Sequence, residues 1–580
     1  MKTTFNSFLF TFFTLSIFLG FQVYAVPYDY SYVLGCVAKP GAPQYKGGIA
    51  VNPEFDEELK GWAAAGNAKI STAKSPDGNA YAVVSNIVTP QSDGLSLAFN
   101  VEKGKLYTVS AWFQISEGEA AVQGKVVTST GNKTANFITA KAGCWTMFKG
   151  GFHVNVTEPA ALHFDTNSTG FDMWVDSVSL QPFTQEEWNS HQAESLEKVR
   201  KAKVKFEVAD QLGKAVADAS VSIKQREPHF PFGCAMNFLI VKNEAYQKWF
   251  LEKGFRYAVF ENELKWQATE LKQGEEDYSV PDAMLEFAKK HNIRLRGHNI
   301  VWDDPEYLPE WVKTLPDDQK REAALKRANS VVTRYKGQFF HWDVINENMH
   351  YNNISSVTNH GADVFNLLHH LDPLPIPFLN EYNVIEDVSL QSFAATWKYL
   401  QKIDEIRKAG YNGPLGIGLE SHFNYVEPNF PYIRASIDMF YATGFPIWVT
   451  EFDVDSIYKK WTLQYMEPLL HELHSHPYVN GIIVWGAMGD KKDGCWKMCL
   501  TDLEYKNVPP GDILDKFMSE FIRVPDTNGK TDATGAFETS LFHGEYEATV
   551  TRADGAQAAE PQTFNLMPGG DVTAVKFKTR

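Results

Sequence analysis

His341-Trp342-Asp343-Val344-Ile345-Asn346-Glu347-Asn348 is a mostly apolar run that ends abruptly in Asn, Glu and Asn. Ile447-Trp448-Val449-Thr450-Glu451-Phe452-Asp453 repeats the plan, an apolar run closing on a carboxylate. Short apolar runs bounded by polar residues suit strands buried on both faces, as in a parallel sheet covered by helices. Similar runs begin near Phe232, Tyr257, Ile293, Phe339, Ile376, Leu415, Ile447 and Gly481, with long amphipathic segments between them. That alternation predicts parallel strands joined by crossover helices. Eight such units over roughly 290 residues fit an α/β fold, the TIM (β/α)8 barrel, which usually takes about 250. The structural alternative is an open doubly wound sheet, but the glycine-rich phosphate fingerprint it often carries is absent. Gly254, Gly410 and Gly444 read as stops for three of the helices, where the chain must turn left-handed.

Outward from the barrel, 227–523, the pattern changes on both sides. Residues 48–182 consist of short alternating runs separated by Gly, Asn, Asp and Ser, such as Lys105-Leu106-Tyr107-Thr108-Val109-Ser110-Ala111-Trp112. This predicts an N-terminal β-sandwich. A charged stretch, 183–202, reads as a helical linker. Residues 203–226 and 524–580 each look like part of a β domain and neither looks complete. They are expected to pair into a small β-sandwich formed by the segments flanking the barrel, resembling transthyretin-like, carboxypeptidase-regulatory-type modules.

A chain of 580 residues exceeds what one core organises, in keeping with several domains. The net charge of −16 and the absence of a long Lys/Arg run argue against nucleic acid as a partner. Fifteen tryptophans are a generous supply of flat surfaces for stacking on sugar rings, although core packing uses such rings too. Lys2, the apolar run 8–21 and Val23-Tyr24-Ala25 read as a signal peptide, 1–25, so the mature protein is expected to be secreted, with no membrane association once it is removed. Asn132, Asn155, Asn167 and Asn353 then become available for glycosylation. Cys36, Cys144, Cys234, Cys495 and Cys499 are odd in number and too sparse for a disulfide scaffold. Cys495 and Cys499 are close enough to bridge a loop, or else both are reduced and packed. No Cys/His spacing suggests a metal.

In such a barrel the chemistry collects where the C-terminal ends of the strands converge on one mouth. Glu347 and Glu451 fall there on different strands. Glycoside hydrolysis needs two carboxyl groups astride the scissile bond, one to protonate the leaving oxygen and one to attack the anomeric carbon or activate water. A lone Glu at a strand end is ordinarily a solvated loop residue. Here Asn and aromatic residues arrive at the same height on nearly every other strand, which favours the chemical reading.

These motifs, in this order, resemble the family 10 glycoside hydrolases, the endo-1,4-β-xylanases, over residues 232–522. The resemblance implies Glu347 as acid/base, with Asn346 holding the sugar 2-hydroxyl, and Glu451 as nucleophile. From Glu261-Asn262-Glu263-Leu264-Lys265-Trp266 it implies that Asn262 and Lys265 bind sugar. From Arg296-Gly297-His298-Asn299-Ile300-Val301-Trp302 it implies that His298 and Trp302 wall the reacting sugar. Gly416-Ile417-Gly418-Leu419-Glu420-Ser421-His422 implies that His422 orients Glu451, and Trp485 and Trp496 resemble the family's aromatic platform and lid. Asn380-Glu381-Tyr382-Asn383 is also a family motif, placed behind the substrate-binding residues. Many members carry Gln where this chain has Glu420, so a third carboxylate is expected beside the catalytic pair, raising a neighbour's pKa. The implied reaction is retaining cleavage of xylan by double displacement, without cofactor or metal. Transglycosylation by the same residues and a non-catalytic glycan-binding or inhibitor barrel stay open as alternatives. Val51-Asn52-Pro53-Glu54-Phe55, Gly61-Trp62, Ala142-Gly143-Cys144-Trp145 and Trp174-Val175-Asp176-Ser177-Val178 resemble family 22 carbohydrate-binding modules, but Ile87-Val88-Thr89-Pro90-Gln91-Ser92-Asp93 occupies the stretch where binding members usually carry an Arg and an aromatic ring, so a spacer that no longer grips xylan strongly stays open beside a binding role. The whole assembly resembles plant cell-wall members, which implies the apoplast as the place of action.

Overall fold

The structure, a computed structural model, describes residues 26–424, 427–455, 459–486, 498–552, 555–570 and 572–579. The signal peptide, Cys495 and Trp496 therefore lie outside the described residues, and with them the possible bridge from Cys495 to Cys499.

Eight parallel strands form a closed barrel: β1 (Phe232–Met236), β2 (Tyr257–Phe260), β3 (Arg294–Gly297), β4 (Phe339–Asp343), β5 (Ile376–Glu381), β6 (Gly416–Leu419), β7 (Ile447–Val454) and β8 (Val479–Val484). The ring closes where Gly233 of β1 stands opposite Ile483 of β8. Side chains alternate along each strand, so one set fills the lumen and the other meets the helices. Ala235, Val259, Phe378, Trp448 and Ile483 pack inside. A larger cluster, including Leu295, Val449 and Val484 with Phe250, Val331 and Leu470, sits between strands and helices. The lumen also holds Arg296, fully buried, whose guanidinium lies 2.5 Å from Asp343 and 5.1 Å from the Phe378 ring centre. Asp343 at the top of β4 is thus fixed from below.

Gly254 is the cap residue of helix Glu244–Lys253, with φ 71°. Gly410 and Gly444 are also left-handed but lie beyond the caps Ala409 and Ala442. There the glycine turns the chain after the helix has ended.

Two antiparallel sheets form the N-terminal sandwich, of six and five strands, and their facing apolar residues make a second core, to which Met439 of helix Phe430–Tyr441 adds. Cys36 and Cys144 are joined by a disulfide across 108 residues, a pairing that the sparse cysteine spacing did not suggest. The charged linker is helix Gln185–Val199, started by a capping box in which Thr184 and Glu187 satisfy each other's backbone N–H groups. Beyond it, Lys201–Ala209 pairs with Ala536–Phe542 and Thr573–Lys578, and Ser220–Pro228 pairs with Thr527–Lys530 and Gly544–Thr551. Strands from before and after the barrel therefore share two small sheets.

The sandwich is seated on the barrel. Buried Lys149 places its ammonium 2.7 Å from Asp438 of helix Phe430–Tyr441, and the Tyr28 hydroxyl donates to the same carboxylate at 2.8 Å. Gly151 permits the approach, because a Cβ there would meet Pro431 at 2.4 Å. No described helix is long and apolar enough to cross a membrane.

Candidate active site

Strand β4 stops at Asp343, and the chain then makes a two-residue parallel pair, Ile345–Asn346 against Val301–Trp302. Glu347 follows, beyond the strand in which the sequence reading had placed it. It is left-handed, with φ 56°, and its N–H donates to the Asn380 carbonyl at 3.0 Å. Such a conformation costs a non-glycine residue ~1–3 kcal/mol and persists only where surroundings enforce it. Glu451, in contrast, lies inside β7, its N–H donating to the Glu420 carbonyl at 3.1 Å. The two carboxyl groups are buried and reach the same mouth from the turn after β4 and from β7.

Asn380 on β5 links these groups. Its side-chain nitrogen lies 2.9 Å from Asn346 Oδ1, 3.0 Å from Glu420 Oε1 and 2.9 Å from Glu451 Oε1. The amide is oriented by Thr450, whose hydroxyl donates to Asn380 Oδ1 at 2.6 Å. Asn346 in turn lies 3.4 Å from Glu347 Oε1. One amide thus connects the neighbourhoods of both acids.

His298 Nδ1 lies 2.9 Å from Asp343 Oδ2 and 3.8 Å from Glu451 Oε1. His422 is held from the other side: Nδ1 is 3.0 Å from Asp453, while Nε2 is 3.3 Å from Glu451 and 3.4 Å from Glu420. Lys265 is buried, donates to Asn262 Oδ1 at 2.9 Å, and stands 4.3 and 5.9 Å from the Trp302 and Trp485 ring centres. Trp302 stacks on Tyr307 with centroids 4.0 Å apart. The structure therefore gathers Asn262, Lys265, His298, Trp302, Asn346, Glu347, His422, Glu451 and Trp485 into one constellation; Trp496 lies outside the described residues.

Burial, then the negative fields of Glu381 and Glu451, push the Glu347 carboxyl up to about 8, with the Trp302 side chain opposing. Burial works in the same direction on Glu451, but His298, His422 and Lys265 outweigh it and hold this carboxyl down at about 2. Lys265 is lowered by burial, against the pull of Glu451 and Glu347. Near neutral pH one acid carries its proton and the other a charge.

The loops are anchored from behind. Buried Arg327 donates to the carbonyls of Leu264 (2.6 Å) and Ile300 (3.1 Å), tying the loop that carries Lys265 to the one that carries Trp302. Asp303 accepts from the backbone and hydroxyl of Ser355, joining the loops after β3 and β4. Sequence reasoning set Asn380 behind the substrate-binding residues and gave Asp343 and Asp453 no role in the site. All three are polar residues in otherwise apolar strand runs, which was the available signal. It also missed the pair of His350 with Glu381 (2.6 Å) and the stacking of His350 on Tyr382.

The profile described as "Glycosyl hydrolase family 10" matches residues 222–500, and "Carbohydrate binding domain" matches 47–170. "Endo-1,4-beta-xylanase 5-like" of Arabidopsis thaliana is 36% identical over 463 residues, 78% of this chain and 80% of the relative. "Endo-1,4-beta-xylanase 4" of the same plant is 34% identical over 472 residues, covering 78% and 82%. Among solved structures, the CBM22-1–GH10 modules of a Clostridium thermocellum endo-1,4-beta-D-xylanase, complexed with xylohexaose, align over 84% of this chain and 99% of that one, with 16% identity and a TM-score of 0.43.

Proposed function

The chain belongs to glycosyl hydrolase family 10, and from that premise we propose that it is an endo-1,4-β-xylanase that cuts the xylan backbone with retention of configuration. The observation that carries the reading is the division of labour between two buried acids beside one asparagine, Glu347 held protonated and Glu451 held ionised. Two carboxyl groups with opposed proton affinities are what acid-assisted displacement at an anomeric carbon needs.

In this mechanism Glu347 donates its proton to the departing glycosidic oxygen while Glu451 attacks the anomeric carbon from the opposite face. The covalent xylosyl-enzyme leaves Glu451 neutral, which removes one field that held the Glu347 proton. Glu347, now a base, takes a proton from water, and the hydroxide that develops displaces Glu451. Two inversions give net retention. His298 and His422 steer Glu451, Lys265 and Asn262 bind sugar hydroxyls, and Trp302 and Trp485 supply flat apolar faces for the pyranose ring.

The N-terminal sandwich is assigned xylan binding in support of the barrel. The apolar run 8–21 supports export, which puts the substrate outside the cell. The test is product analysis on glucuronoxylan, arabinoxylan, mannan and cellulose. Accumulation of short xylo-oligosaccharides from the xylans alone is the expected result; unchanged xylan chains contradict it.

A further inference from the structure

Glu420 is an acid at the barrel mouth for which this mechanism has no use. It directly follows β6 as a buried side chain, 1% exposed. Its Oε1 lies 3.0 Å from Asn380 Nδ2 and its Oε2 3.4 Å from His422 Nε2. The same two nitrogens serve Glu451, at 2.9 and 3.3 Å. Two carboxyl groups are thus strapped side by side through shared donors, one nitrogen for each pair of oxygens.

Counting hydrogens exposes a shortage. Asn380 Nδ2 carries two and faces three oxygens, because Asn346 Oδ1 is also 2.9 Å away. His422 Nε2 carries at most one and faces two. Among the described residues, the three hydrogens on these two nitrogens therefore answer to five oxygens, and a second ionised carboxylate adds repulsion in a buried setting where that is costly. A single proton on one carboxyl group repairs both the count and the charge. Glu451 is the less suitable holder, because His298 and Lys265 also favour its charge.

We propose that Glu420 is held as a neutral carboxylic acid while Glu451 is ionised, so that a hydroxyl rather than a second negative charge lies beside the nucleophile. Glu420 is then a positioning residue. It keeps Asn380 and His422 in register and leaves a single charge to face the sugar. The titratable groups that face it are Glu451 from β7, Glu347 beyond β4, Lys265 beyond β2, Tyr399 from helix Thr396–Lys408 and His422 two residues along. Burial first, then the fields of Glu451 and Glu347, hold the Glu420 carboxyl well above the usual carboxylate range, with His422 opposing. The expectation from sequence, a charged Glu420 that raises a neighbour's pKa, is the rival outcome in the tests that follow.

The proposal rests on reading Glu451 as the nucleophile, but its first test needs no turnover. Infrared spectra of the full chain and of Glu420→Gln at pH 6 are subtracted. Loss of a protonated-carboxyl C=O band in the variant is expected; loss of an ionised-carboxylate band instead overturns the proposal. Should the variant not fold, Glu420→Met serves the same comparison. The second test is the pH profile of kcat/KM on an aryl xylobioside. With a neutral Glu420 both limbs stay within about 0.3 pH unit in Glu420→Gln, whatever its rate; an ionised Glu420 requires both limbs to fall by on the order of one pH unit, because a negative neighbour has been removed. A protein with no glycosidase activity still gives the infrared answer, so failure of the function and failure of this assignment are separate outcomes.

Discussion

The side-chain nitrogen of Asn380 lies 2.9 Å from an oxygen of Glu451, although 71 residues separate them in the chain. Because Thr450 fixes the other end of the amide, this contact sets the angle of the Glu451 carboxylate. Replacing Asn380 with Ala removes a preorganised donor without touching either acid. The expected loss in kcat is about 10²–10³-fold, the effect of deleting one such donor, with KM changed much less. Steady-state kinetics on xylohexaose check this; an equal loss in 1/KM alone contradicts it.

The protonation states fix the pH dependence and its sign. Catalysis needs Glu347 protonated and Glu451 ionised, so kcat/KM falls as pH rises through the Glu347 value of about 8 and falls again only toward the Glu451 value of about 2. Burial is the first cause of the high Glu347 value and the charge of Glu381 the second. Glu381→Gln therefore moves the alkaline limb to lower pH, by on the order of one unit. A limb that stays put or moves upward speaks against this origin of the shift.

The two acids also fail differently. Glu347→Ala is expected to lose about 10²–10⁴-fold on xylan, where the departing oxygen needs a proton. It should lose far less on a dinitrophenyl xylobioside, whose leaving group departs as a stable anion. Glu451→Ala is expected to be inactive on both, since no covalent step remains. Equal losses for both variants on both substrates contradict the assignment.

Stability makes a separate prediction at the junction of sandwich and barrel. Lys149→Met leaves Asp438 buried with one cation fewer, and losing one member of such a pair costs ~3–5 kcal/mol. Adding Asp438→Asn recovers part of that, so the double variant is more stable than the sum of the single losses indicates. Denaturant unfolding of the four proteins measures the coupling, and simple additivity contradicts a functional pair.

Much of this architecture was legible because burial on both faces writes a strand as an unbroken apolar run. All eight barrel strands begin within two residues of the starts read from Phe232 to Gly481. The pairing of the segments that flank the barrel was legible for a related reason, as each half shows alternation without enough strands to close a core. The Cys36–Cys144 disulfide was not legible, since it joins residues that only the sandwich register brings together. Nor was the left-handed turn at Glu347, because nothing in Asn-Glu-Asn signals that the strand has already ended at Asp343. Asn380 was seen and set behind the substrate-binding residues; its place between Asn346, Glu420 and Glu451 depends on three strands at once, which a one-dimensional pattern does not encode.

The central claim, that Glu451 forms a covalent bond to the sugar while Glu347 supplies the proton, is tested most directly by trapping. A 2-deoxy-2-fluoro-β-xylobioside with a dinitrophenyl leaving group slows release of the intermediate, and peptic peptides of the inactivated protein are then sequenced by mass spectrometry. The account predicts one fluoroxylobiosyl adduct, on the peptide containing Ile447-Trp448-Val449-Thr450-Glu451 and at Glu451 itself. An adduct on Glu347 or Glu420, or a fully active protein that never acquires one, contradicts it.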